Sequence, residues 1–209
     1  CMKRRNLMDL LADKPIVHPT RIDAVVWRGR QLTIHVRGHR WWASPYEDRL
    51  SEGAISLVFN GLEDGRLFTD QLQPDDDGAL AGFKVLPVSD VPWAQASRWS
   101  IYSSGPIAEP LALFAKVHDY LQQTQAFLGA DRFLNQATDL SRFVATVQSS
   151  GALVGQGPTP IRDLICTELE RQRVPHNVVQ TVPDVEARYL VRLGDSGFLC
   201  QEAFAELPD

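Results

Sequence analysis

His35-x-Arg37-x-His39 is the stretch of this chain best equipped for chemistry. On an extended backbone alternate side chains leave the same side, so a strand here would aim two imidazoles and a guanidinium one way. Imidazole titrates near neutrality and can pass a proton, while guanidinium can hold a phosphoryl or carboxylate oxygen. Beyond the Ser44-Pro45 bend, Glu47 or Asp48 could come near as the acid that orients such a base. His35, Arg37 and His39 therefore define a hydrolase or nuclease reading. The same pattern arises on any polar strand face that merely meets water, and a bulge at Gly38 would turn His39 away.

Other chemical motifs each lack a part. Two histidines on one strand can begin a metal site, but a third ligand would have to come from His18, His118, His176 or a carboxylate. Nothing in the spacing nominates one, so no metal is expected. Gly151 to Thr159 is glycine-rich and precedes a helix, yet it lacks the Lys-Ser/Thr pair of a phosphate loop. Pro158 and Pro160 also remove two backbone N–H donors, so a linker and a capped helix are expected there. Asp75, Asp76 and Asp77 lack the spaced ligands of an EF-hand and read as a solvated turn. Asp184 and Glu202 resemble the acidic pair of a metal-dependent nuclease core, but Phe204 stands where that core wants a lysine. No nucleophile elbow, zinc-protease helix or dinucleotide turn occurs, and no cofactor is expected.

Trp41 and Trp42 support a different reading. Neighbours on a strand point to opposite faces, so one ring enters the core and the other is pushed outward. Trp42 and Tyr46 then become anchors of a partner-binding surface, with Glu47 and Asp48 setting orientation toward a basic partner. The leading expectation is a non-catalytic bacterial protein-binding protein, of the kind of a toxin-neutralising immunity protein that occludes a basic surface. A small-ligand domain with a cavity between sheet and helices is the third reading.

The elements that must position these residues follow from periodicity. Ile22, Ala24 and Val26, then Leu32, Ile34 and Val36, alternate about Arg28-Gly29-Arg30 and predict a β-hairpin. The near-continuous apolar run from Ala54 to Leu62 predicts a central strand. Asp64-Gly65 predicts a turn into a return strand, and GFKVLPV and SRWSIYSS predict two more. Their short connections make the sheet antiparallel. Helical spacing over 109–127 and 131–147 predicts a helical hairpin, and a third helix starts at Thr159 and runs to Arg173. Strands follow over 177–182, 187–193 and 197–204.

The expected fold is α+β. A mostly antiparallel sheet from the N-terminal half is covered by the helical hairpin and the third helix, with a small C-terminal strand group. Residues 15–209 form one domain, with sub-boundaries at 105–110 or 149–158 as alternatives, and residues 1–14 form a helical extension.

Composition bounds the partners. The chain has 209 residues, 44% of them hydrophobic, and a formal charge of −5, so it would repel a phosphate backbone and nucleic acid is not an expected partner. No apolar run reaches the roughly 20 residues that cross a bilayer. Cys1, Cys166 and Cys200 have no metal-ligand or disulfide spacing, and a reducing cytoplasm is expected.

Overall fold

The computed structural model describes residues 2–14, 16, 20–43, 51–66, 80, 82–96, 98–135, 139–148, 151–182, 186–194 and 196–208. The chain is α+β. Its elements are β1 (Lys3–Asn6), α1 (Leu7–Asp13), β2 (Thr20–Arg28), β3 (Gln31–His39), β4 (Glu52–Asn60), β5 (Gly65–Arg66), β6 (Lys84–Pro87) and β7 (Trp99–Ser103). They continue as α2 (Pro110–Gln123), α3 (Leu140–Val147), β8 (Leu153–Gly157), α4 (Thr159–Arg171), β9 (His176–Gln180), β10 (Tyr189–Leu193), β11 (Ser196–Cys200) and β12 (Glu202–Leu207). All strand pairs among the described residues are antiparallel, and two compact units divide the chain.

The first unit takes Cys1–Asp90 and Ala187–Asp209. It holds a five-stranded sheet in the order β1-β12-β4-β3-β2 and a four-stranded sheet in the order β5-β11-β10-β6. Gln201 alone separates β11 from β12, so the chain crosses between sheets at one residue. Both sheets feed one core, in which Leu32, Ile34, Leu57 and Phe59 meet Val85, Val191, Phe198 and Cys200. The Phe59 and Phe198 rings pack edge to face at 5.0 Å. Each such side chain contributes about 1.5–3 kcal/mol through burial. α1 adds Leu7 and Leu10, and it starts where the Asn6 carboxamide accepts the N–H groups of Met8 and Asp9. Lys3–Asn6 of the predicted N-terminal helical extension are thus strand β1, paired with β12.

The hairpin forms as predicted, with Gly29 at φ +59° supplying the left-handed turn residue, and β4 is the central strand of its sheet. The bulge, however, lies in β2 and not at Gly38. Pairing steps from Ile22↔Val36 to Ala24↔His35, which leaves Asp23 as the extra residue, while Gly38↔Gly53 and His39↔Glu52 continue without a break. One extra residue inverts the alternation beyond it. Val25 and Trp27 therefore sit opposite the buried Ile34 and Leu32, and Ala24 and Val26 join the outer face.

The second unit, Val91–Glu186, enters the chain between β6 and β10, which are themselves neighbours in a sheet. Its boundaries thus differ from both of the expected sub-boundaries. It carries its own three-stranded sheet, β8-β7-β9, and the strands predicted in the N-terminal half are shared among three sheets instead of one. Leu113, Val117 and Leu121 on α2 and Ile161, Ile165 and Leu169 on α4 recur every four residues and are buried. The glycine-rich segment predicted as a linker is strand β8. A Cβ on Gly155 would stand 2.5 Å from the Phe133 carbonyl oxygen and one on Gly157 2.8 Å from the Ile161 Cβ, so these glycines let α4 and the 133 turn approach the sheet.

The helix predicted over 131–147 is broken. Residues Ala130–Arg132 form a 3-10 turn, Leu134 makes a β-bridge to Gly155, and α3 begins only where the Asp139 carboxylate accepts the Arg142 N–H. Burying Phe133 and Leu134 beside β8 wins over helical continuity. α2 and α4 both end with a non-glycine residue in the left-handed region, Gln125 at φ +53° and Arg173 at φ +57°. The Ala126 N–H to Leu121 and Val174 N–H to Leu169 bonds, each 2.9 Å, complete the paired closure that such a residue permits. No helix among the described residues is long and apolar enough to cross a membrane.

Candidate functional site

The five-stranded sheet does place His35, Arg37 and His39 on one face, the outer one, because alternation holds along β3. Each is then engaged differently. His35 Nδ1 lies 2.9 Å from the Ser56 hydroxyl, across the register pair His35↔Ser56. Arg37 Nε donates to Asp23 at 2.8 Å, and this hydrogen bond raises the guanidinium pKa further. His39 Nδ1 is enclosed without a hydrogen-bond partner among the described residues. The bulge explains the Arg37 contact, since the extra residue Asp23 is the one released from pairing.

This arrangement is a poor frame for nucleophilic catalysis. A triad needs the imidazole between hydroxyl and carboxylate. Here the register runs His35, Ser56, Glu206, with the serine in the middle, and Glu206 is held by Arg4 at 2.9 Å. The guanidinium that could hold an oxyanion is already on Asp23. Among the described residues no group of three His, Cys, Asp or Glu is placed to hold a metal. Tyr46, Glu47 and Asp48 lie outside the described residues.

Trp42 must be corrected. It is only 6% exposed, packed edge to face on the fully buried Trp41 with ring centroids 5.5 Å apart. The alternation rule fails because residues 41–43 are a turn and not a strand, closed by the Ala43 N–H to Arg40 bond of 2.8 Å. Lys14 Nζ caps the tract by donating to the carbonyls of Trp42 and Ala43 at 3.0 and 3.2 Å. Both rings belong to the core, so neither is a surface anchor.

Among the described residues the exposed ring is Trp27, at 52%. The Asp23 bulge brings it to the core side of β2, but it stands at the strand end where the core opens. There it lines a groove of about 400 Å³ with Leu62, Phe198, Glu63, Asp64 and Gly65. The groove is built on fixed backbone. Arg30 and Leu62 exchange bonds through the Leu62 N–H, at 3.0 Å, and the Arg30 Nε to Leu62 carbonyl, at 2.8 Å. The Glu63 N–H donates to Leu199 at 3.0 Å and the Leu199 N–H to Asp64 at 2.7 Å. Behind it, burial first and the Glu63 charge second push the Cys200 thiol up to about 12. That thiol is packing, not a nucleophile. An aromatic ring beside two carboxylates is the composition expected of Trp42 to Asp48, found at another address.

In the second unit a cleft of about 420 Å³ runs between α2 and α4 past Tyr120, Leu164 and Thr167. At its end Glu168, 2% exposed, accepts Arg171 Nε at 3.0 Å on both oxygens and Gln172 Nε2 at 2.8 Å. The Arg171 hydrogen bond, foremost, holds the Glu168 carboxyl below the usual glutamate range. Arg171 also reaches Glu109 at 2.7 Å, and Gln172 accepts the Glu109 N–H at 2.8 Å. The contacts of Arg171 and Gln172 with Glu109 tie the start of α2 to the end of α4, and Glu168 holds both of those side chains in place, which makes the cluster a clamp. Comparison with known protein families, with curated proteins and with solved structures finds no match for this chain.

Proposed function

We propose that this protein binds another protein without catalysing a reaction, occluding a basic surface of its partner as a toxin-neutralising immunity protein would. The observation that carries the reading is Trp27. A half-exposed tryptophan over Phe198 and Leu62 is the side chain most often found at the energetic centre of an interface. Glu63 and Asp64 beside it, on a chain of formal charge −5, favour a partner segment that carries Lys or Arg around an apolar residue. The reduced thiols of Cys166 and Cys200 fit the cytoplasm as the place of action.

The test is affinity capture from the parent organism followed by calorimetry on the identified partner. Trp27→Ala is expected to weaken binding by about 30-fold or more. Glu63→Lys with Asp64→Lys is expected to weaken it strongly at low salt and less at high salt. Arg37→Ala, on the outer sheet face, serves as the control and should bind as the parent does. A partner that binds Trp27→Ala as tightly as the parent chain overturns the proposal.

A further inference from the structure

We infer that β9 is a self-pairing edge, through which two copies of this chain join about a twofold axis into one continuous sheet.

The register of β9 on β7 decides which of its backbone groups are already used. The Thr181 N–H donates to the Arg98 carbonyl at 2.8 Å and the Ser104 N–H to the Pro175 carbonyl at 2.7 Å, and the pairs Ser100↔Val179 and Tyr102↔Asn177 fall between them. In an antiparallel ladder hydrogen-bonded pairs alternate with unbonded ones, so Pro175, Asn177, Val179 and Thr181 turn their backbone groups toward β7. His176, Val178 and Gln180 must then turn their N–H and C=O groups the other way. Among the described residues β9 is the last strand of its sheet, and no backbone bond reaches those three from that side. Such a row is a template for another strand. Exposed apolar side chains gather at the same edge, where Val178, Val179 and Val182 all meet solvent.

The open row is symmetric about Val178, which is what a second copy of the same strand requires. With Val178 opposite Val178 of the second copy in antiparallel register, His176 stands opposite its Gln180 and Gln180 opposite its His176. Every outward N–H then meets an outward C=O. A shift by one residue sets outward groups against groups already bonded to β7, and a shift by two carries one residue of each row past the end of the other strand. The symmetric register is therefore the one that satisfies the whole row.

Charge permits the contact as well. His176–Gln180 contains no Asp, Glu, Lys or Arg, so the axis opposes no like charges although the chain carries −5 in all. On one face the two Val178 side chains meet across the axis, and on the other each Val179 lies opposite an Asn177. None of these residues belongs to the Trp27 groove.

Sedimentation velocity on the full chain at rising concentration tests the pairing. The mass is expected to rise from one chain to two and to stop there, because a twofold contact closes, with half-association on the order of 100 μM for so small an interface. In hydrogen exchange followed by NMR, the amides of His176, Val178 and Gln180 should slow in proportion to the paired fraction. Those of Asn177 and Val179, already bonded to β7, should not change. Val178→Lys and Val178→Glu each set two like charges across the axis and are expected to weaken association about tenfold or more. Mixed in equal amounts, the two variants should pair again as a heterodimer, which also shows that both fold. Leu111→Lys, at another exposed apolar position of the same unit, should leave association unchanged. A chain that stays single up to about 1 mM, a mass that climbs past two, new protection at Asn177 and Val179 instead of their neighbours, or a mixture that associates no better than either variant alone would each overturn the inference.

Discussion

The edge strands β2 and β9 solve the same problem in opposite ways. An edge strand exposes a row of unpaired N–H and C=O groups that invites another chain. β2 carries Arg21, Asp23 and Arg28, and its ladder is broken by the Asp23 bulge. β9, His176–Gln180, has no carboxylate, lysine or arginine and pairs with β7 in unbroken register. Its adjacent Val178 and Val179 point to opposite faces and are 39% and 48% exposed. The protected edge therefore carries a shaped groove at Trp27, whereas the unprotected edge exposes only backbone and valine. The proposed partner groove thus lies in the first unit, and the liability for unspecific strand pairing lies in the second.

Truncation should separate the two edges most sharply. Phe198→Ala removes the floor of the Trp27 groove and the ring against Phe59, and is expected to lower stability by about 3–5 kcal/mol in urea unfolding. Val179→Ala on β9 should change it by less than about 0.5 kcal/mol. Equal effects would mean that β9 is as well packed as the core.

Next in size is Glu168→Gln, at the end of the helix that leads into β9, with an expected loss of about 1–2 kcal/mol at neutral pH. The folded pKa of Glu168 lies below the ordinary value of 4.5, so its contribution is complete above that pH and is lost as pH falls through it toward the folded value. Melting curves from pH 7 to 3 should show the parent losing this contribution on acidification and the variant lacking that part of the decline. Parallel curves would show that the carboxylate is not the source.

Two changes should exchange the character of the edges. Val179→Lys is expected to delay heat-induced aggregation, followed by light scattering, by several degrees while barely moving the melting midpoint. Deleting Asp23 should preserve the pairs Ile22↔Val36 and Ala24↔His35, since the bulge residue is the extra one, and keep Trp27 opposite Leu32. The variant is expected to fold and to aggregate sooner than the parent, its second edge now regular. The smallest effect is expected of Arg37→Ala, which breaks an exposed ion pair and should leave the melting midpoint unmoved.

Several features were legible from residue order because they are local. Gly29 marks the hairpin turn, the apolar run in β4 marks a central strand, and the Ile161 series marks the buried face of α4, whereas the helical spacing of Leu111, Phe114, Val117 and Leu121 puts Leu111 on the buried face of α2 and it is 58% exposed, with Leu113 buried instead. The Trp27 groove was not legible. Period-two patterning places Trp27 opposite Ile22, and nothing in the residues themselves announces that Asp23 is skipped. The Trp41-Trp42 pair misled for the related reason that alternation holds only while the backbone stays extended, and it turns at Trp41.

Residue order alone thus determined that this chain is α+β, that its strands pair antiparallel, and which face of α4 is buried, because these follow from short-range periodicity and turn chemistry. Tertiary structure decided the division of the described strands into three sheets and two units, and the side of the sheet that Trp27 takes. Those outcomes depend on which strands meet and in what register, and a single bulge, worth little in local energy, is enough to change them.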